Sequence, residues 1–158
     1  MIRLLALSLA VAAASLGCTA HYIPNTDVED SDGNRQVIEF CEQYRHAVEN
    51  RNVPLLLRFA DPKYYEDGGN VDATDDLDYA GLRDYLEQRF RDTRAIRYEI
   101  RYRRVGAGQR KNTILVDYTY SASYKIPAPS GEVWRRRVAD NRLELVRAGE
   151  SFRILSGM

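Results

Sequence analysis

Few side chains in this sequence are of the kinds that make or break bonds, and their spacing limits what they could do. There are two cysteines, Cys18 and Cys41, two histidines, His21 and His46, and eleven tyrosines. No Ser-His-Asp order, Gly-rich phosphate loop, Cys-x-x-Cys or His-x-x-x-His occurs. Nucleophilic triads, phosphate cradles and histidine metal centres therefore have no motif to rest on. Asp30, Asp32, Gly33 and Glu39 fall at positions 3, 5, 6 and 12 of a calcium loop, but position 1 would be Val28, which cannot ligate. No metal and no cofactor are expected. What is left is aromatic. Tyr44, Tyr65, Tyr98, Tyr118, Tyr120 and Trp134, with Arg136 beside them, either line a ligand pocket or fill the core, and each buried hydroxyl needs a partner.

Cys18 sits at a seam. Arg3 precedes an apolar run of 14 residues, Leu4 to Gly17, and the chain after Cys18 is polar and acidic. A membrane-spanning helix needs about 20 residues, so the run reads as the apolar region of an export signal. Leu16-Gly17-Cys18 resembles the lipobox of bacterial lipoproteins, with Ser15 where that pattern prefers Leu. The resemblance implies a signal peptide over 1–17, a diacylglycerol on the Cys18 thiol, and a membrane anchor in the cell envelope. Thr19 lacks the Asp that marks inner-membrane retention in enteric bacteria, which favours the outer membrane. An ordinary export signal cut after Cys18-Thr19-Ala20 is the other reading. Residues 18–33, with Asp27, Glu29, Asp30 and Asp32 and no periodic apolar positions, read as a flexible tether. Cys41 falls on an apolar helix face and is expected to be an inert buried thiol.

The formal net charge is zero, which excludes a general nucleic-acid binder. The charge is divided, however. Residues 18–92 carry a net −9 and residues 93–158 a net +8. The basic half reads as a sheet with an arginine-bearing outer face carrying Arg97, Arg101, Arg103, Asp117, Thr119, Arg135 and Arg137. Such a face suits a homodimer contact or an acidic protein partner.

These residues must be positioned by a single domain over 34–158. Val37, Phe40, Cys41, Tyr44 and Val48 recur at helical spacing, predicting a helix from about Asn34 to Asn50. Asn52 caps a second, short helix with Pro54 in its first turn. Tyr64 to Gly69 reads as a strand running into a turn, and Tyr79 to Phe90 as a third helix. Alternation at Ile96, Tyr98, Ile100 and Tyr102, and again from Ile114 to Tyr124, predicts half-buried strands. A long strand follows over Val133 to Arg147, and Phe152 to Leu155 closes the sheet. The long strand changes parity: Trp134 and Val138 are even, Leu143 and Leu145 odd. A strand cannot switch faces without an extra residue, so a bulge is predicted near Asp140-Asn141.

Three helices followed by a strongly curved antiparallel sheet make an α+β cone. "YRHAVENRNVPLLLRFADPKYYEDGG" (44–69), "YAGLRDYLEQRF" (79–90) and the closing "FRILSGM" resemble, in the order of their elements, the NTF2-like superfamily, which includes ketosteroid isomerase, dehydratases, polyketide cyclases and many non-enzymatic binding domains. By similarity to ketosteroid isomerase, Tyr44 matches the oxyanion-hole tyrosine, Asp67 the general base, and Asp140 the protonated aspartic acid that donates the second hydrogen bond. A carboxylate would remove a proton beside a carbonyl, and two neutral donors would stabilise the enolate. Each match has a plainer reading. Tyr44 belongs to the packed helix stripe, Asp67 precedes Gly68-Gly69 where Asp initiates turns, and Asp140 adjoins Asn141 and Arg142. Fold alone does not select a function. The expectation is a lipid-anchored envelope protein whose domain binds a small apolar ligand or a protein partner without catalysis. An isomerase- or dehydratase-like enzyme is the alternative.

Overall fold

A computed structural model describes residues 21–68, 74 and 76–158. Residues 1–17, expected from the sequence to be a signal peptide, and Cys18 lie outside the described residues. The chain is α+β. Helices α1 (Asp32–Glu49) and α2 (Val53–Phe59) are followed by β1 (Tyr65–Glu66), β2 (Leu77–Asp78) and α3 (Tyr79–Phe90). Strands β3 (Ala95–Ala107), β4 (Thr113–Ala128), β5 (Gly131–Ala148) and β6 (Ser151–Ser156) complete it. The last four form one antiparallel sheet in sequence order, and β1 pairs with β2 separately. Helix α1 lies across β3 and β6, so the helices roof one face of the sheet as a cone.

Local chemistry explains the element ends. Each helix begins at a residue whose side chain accepts from a backbone amide three positions on: Ser31 from Asn34 at 3.2 Å, Asn52 from Leu55 at 3.1 Å, and Asp78 from Gly81 at 2.9 Å. Each satisfies a donor the first turn leaves free. Val37, Phe40, Cys41, Tyr44 and Ala47 form the buried stripe of α1. Cys41 is fully buried, and desolvation pushes its thiol far above the usual range. Phe40 joins the layers through Phe59 of α2 at 5.3 Å and Phe152 of β6 at 5.7 Å between ring centres.

Two expectations are overturned. The segment read as a flexible tether is folded from His21 onward. Tyr22 bridges Glu29, and a turn between them places Val28 in the core at 2 % exposure. The Asp27 amide donates to the Tyr102 carbonyl at 2.9 Å on the open edge of β3. Two of the segment's four acids are paired with arginines. Asp27 accepts from Arg101 at 2.8 Å and Arg103 at 2.9 Å, and Asp30 from Arg35. These guanidinium partners hold both carboxyls below the ordinary range.

The bulge predicted near Asp140-Asn141 is absent. The β4–β5 ladder keeps one register from Thr113↔Val146 to Ala128↔Gly131. The shifts lie elsewhere, between Tyr102 and Arg104 in β3 and between Glu144 and Leu145 in β5 against β6. Residues opposite one another on paired strands share a face. Tyr118, Ala122 and Val116 are buried, so their partners Asn141, Arg137 and Leu143 face inward with them. Odd positions of β5 therefore point inward along its length. Trp134 and Val138 face outward and are 44 % and 56 % exposed. An apolar residue on the open face misled the parity reading.

Candidate functional site

Tyr44 of α1, Tyr98 of β3 and Tyr118 of β4 meet in the core and are 4 %, 6 % and 1 % exposed. Their phenols lie close enough to shift one another's ionisation. Asn141 Nδ2 donates to the Tyr118 hydroxyl at 3.1 Å and to the Gly157 carbonyl at 3.2 Å. Among the described residues no buried side-chain nitrogen or oxygen lacks a partner. Desolvation raises the pKa of all three phenols above the ordinary tyrosine range. Tyr120 packs beside them, 5.5 Å from Tyr98 and 6.4 Å from Tyr118 between ring centres. The centre of the cone is thus filled by mutually satisfied side chains.

The isomerase-like constellation does not assemble. Tyr44 is inside, but Asp140 lies on the outer face, where it accepts from Thr119 Oγ1 at 2.6 Å. Asp67 is exposed after β1, in a polar cleft with Glu66, Arg110, Arg142 and Glu144. The residue that reaches the tyrosines from the long strand is Asn141, one position beyond the expected Asp140. Its parity with Leu143 and Leu145 was the signal that could have found it. Three expected pocket residues are also elsewhere. Tyr65 is exposed and its hydroxyl donates to Asp76. Trp134 is on the outer face beneath the Arg97 guanidinium, 4.7 Å from its ring centre. Arg136 is outside too, donating to Ser121 at 3.1 Å.

An open pocket of about 300 Å³ lies instead at the end of the cone where α1 and α3 finish. Val48, Phe90, Tyr124 and Ile126 give it an apolar floor, and Thr93 lies at its base. Arg89, in the last turn of α3, and Arg135 and Arg137 of β5 stand around it. Arg135 and Arg137 were assigned from the sequence to the outer face. Their partners Tyr124 and Ala122 place them on the inner one. Burial raises the Tyr124 phenol, and the charges of Arg89 and Arg137 oppose that shift. A wider depression of about 800 Å³ occupies the opposite end, between the first turn of α1 and the strand ends at Val105, Ile114 and Val146.

Structural neighbours share this architecture. A candidate dehydratase from the NTF2-like family of Streptomyces avermitilis is 13 % identical, at a TM-score of 0.60 over 78 % of this chain and 92 % of that one. The domain has the NTF2-like fold. A candidate scytalone dehydratase from Novosphingobium aromaticivorans is 7 % identical, with a TM-score of 0.61 over 79 % and 80 % of the two chains. A candidate calcium/calmodulin-dependent protein kinase II association domain from Xanthomonas campestris is 12 % identical, with a TM-score of 0.63 over 88 % and 94 %. No protein-family model and no curated protein matches the chain. The NTF2-like cone thus hosts both enzymes and association domains among these neighbours by description. The choice for this chain rests on its own residues.

Proposed function

We propose that this chain is a non-catalytic binding domain that takes a small apolar ligand in the pocket floored by Phe90, Tyr124 and Ile126. One observation carries the reading. Among the described residues, a concave apolar surface flanked by the ends of α1 and α3 and the inner sheet face lies at this end, while the cone's centre is closed by the Tyr44–Tyr98–Tyr118–Asn141 cluster. Catalysis of the isomerase kind needs a base facing the donors, and Asp67 and Asp140 lie outside the inner face. A volume of about 300 Å³ is at the lower end for small-molecule pockets, roughly 300–1,000 Å³. The test is titration of the ¹⁵N-labelled domain with 2-naphthalenemethanol, a neutral aromatic probe. Amide shifts centred on Phe90, Tyr124 and Ile126, lost in Phe90→Ala, are expected. Shifts centred elsewhere, or none, would overturn the reading.

The address proposed for the domain is the cell envelope, anchored by a lipid on Cys18 in the outer membrane. Its support is the apolar run ending at Leu16-Gly17-Cys18. The folded segment from His21 then leaves two residues between anchor and domain, a span of roughly 10 Å at most. The domain would sit against the bilayer rather than swing from it. Incorporation of a palmitate analogue by the wild type and not by Cys18→Ala is the expected result. Equal labelling, or none in either, would sink the anchor and leave the pocket reading untouched.

A further inference from the structure

We infer that the pocket selects an organic anion, an aromatic or branched apolar body bearing one carboxylate, which Arg135 and Arg137 clasp at its rim. This rests on the binding reading above and deepens it. Arg135 and Arg137 are two residues apart on β5, so both leave the inner face, with their Cα atoms about 7 Å apart. Arg89 approaches from α3 and rests over the Tyr85 ring, 5.6 Å from its centre. No carboxylate lines the pocket, and among the described residues none of the three guanidinium groups has an ion pair.

Elsewhere on this framework many arginines are already engaged: Arg97 stacks on Trp134 and Arg136 donates to Ser121. Arg45 is held by Glu42 and Glu49, Arg101 and Arg103 by Asp27, Arg142 by Asp117, and Arg110 by Glu144. Glu132, on the same strand as the pair, faces outward and is engaged by Lys125. Like charges set side by side on a sheet repel, and an anion between them removes the repulsion. The C-terminal end of α3 contributes about half a negative charge locally, which three full cations exceed. The planar fork of guanidinium matches carboxylate oxygens two at a time. Phe90, Tyr124 and Ile126 lie directly below to take the apolar body.

The test compares 2-naphthoate with 2-naphthalenemethanol, the same ring with and without charge, by calorimetry on the intact folded chain. At low salt naphthoate is expected to bind at least tenfold more tightly. The gap should narrow as salt rises, because exposed charges are screened. In Arg135→Gln/Arg137→Gln, the ratio of naphthoate to alcohol affinity should fall to about one while both probes still bind, a pattern misfolding does not produce. Equal affinity of the two probes in the wild type overturns the anion selection and leaves the pocket standing. A preference that survives in the double variant also overturns it. Failure of both probes to bind overturns pocket and selection together.

Discussion

Asn141 Nδ2 lies 3.1 Å from the Tyr118 hydroxyl on the inner face of the sheet. Its chain neighbour Asp140 is turned to the opposite face, held by Thr119. One residue of parity separates a group that organises the core from one that decorates the surface.

The two positions should therefore respond differently to substitution. Asn141→Leu removes the donor to the buried Tyr118 hydroxyl and to the half-buried Gly157 carbonyl. A loss of about 1 kcal/mol is expected. Asp140→Ala, at an exposed site, should change stability by within about 0.5 kcal/mol. Urea unfolding of both variants checks this, and equal losses would contradict the face assignment.

The N-terminal segment should behave as part of the fold. Val28→Ala opens a void in a position that is 2 % exposed, and a cost of about 1–3 kcal/mol is expected. Asp27→Ala removes the acceptor for Arg101 and Arg103. It should speed proteolysis between His21 and Ser31 while leaving the core helices protected from hydrogen exchange. Unchanged cleavage there would mean that the ion pairs do not hold the segment.

The buried phenols set an alkaline limit. Desolvation raises the pKa values of Tyr44, Tyr64, Tyr98, Tyr102 and Tyr118 in the folded state above their unfolded value near 10. The folded chain then holds protons that the unfolded chain releases, so stability is full below about pH 10 and falls as pH rises beyond it. Tyrosinate absorbance from these residues should appear together with the loss of far-ultraviolet ellipticity. Ionisation of the five before unfolding would refute their burial.

Trp134, the single tryptophan, reports on the outer face. Its exposure of 44 % predicts ready quenching by acrylamide in the native state. Arg97→Ala removes the guanidinium 4.7 Å from its ring centre. The variant should alter the emission yet cost about 0.5–1 kcal/mol or less. Emission that resists quenching until the protein unfolds would place the ring inside.

Much of the architecture was legible because it is local. Asn52, Pro54 and the Tyr79–Phe90 stripe carry their own start signals, and the alternation at Ile96–Tyr102 states which side chains share a face. The N-terminal segment was not legible. Its acids read as solvent-seeking until Arg101 and Arg103, more than seventy positions away, supplied their partners. Long-range pairing leaves no periodic trace in either segment. The candidate site failed for a related reason. The pattern Trp134, Val138, Leu143, Leu145 mixes residues from a covered and an uncovered stretch of one strand, and hydrophobicity reports a face only where something covers it.

By itself the sequence determined the order of the three helices and the four long strands, the Asn52 cap, the inward Tyr44, Tyr98 and Tyr118 and the charge division between the halves, because these follow from spacing along the chain. The tertiary structure alone decided which side of β5 each residue occupies. It thereby decided that Asp140 and Trp134 lie outside and that Arg135 and Arg137 lie within. The physical reason is that a strand of alternating side chains has two equivalent faces, and only the register against β4, with α1 and α2 packed on one side of the sheet, makes one of them the interior.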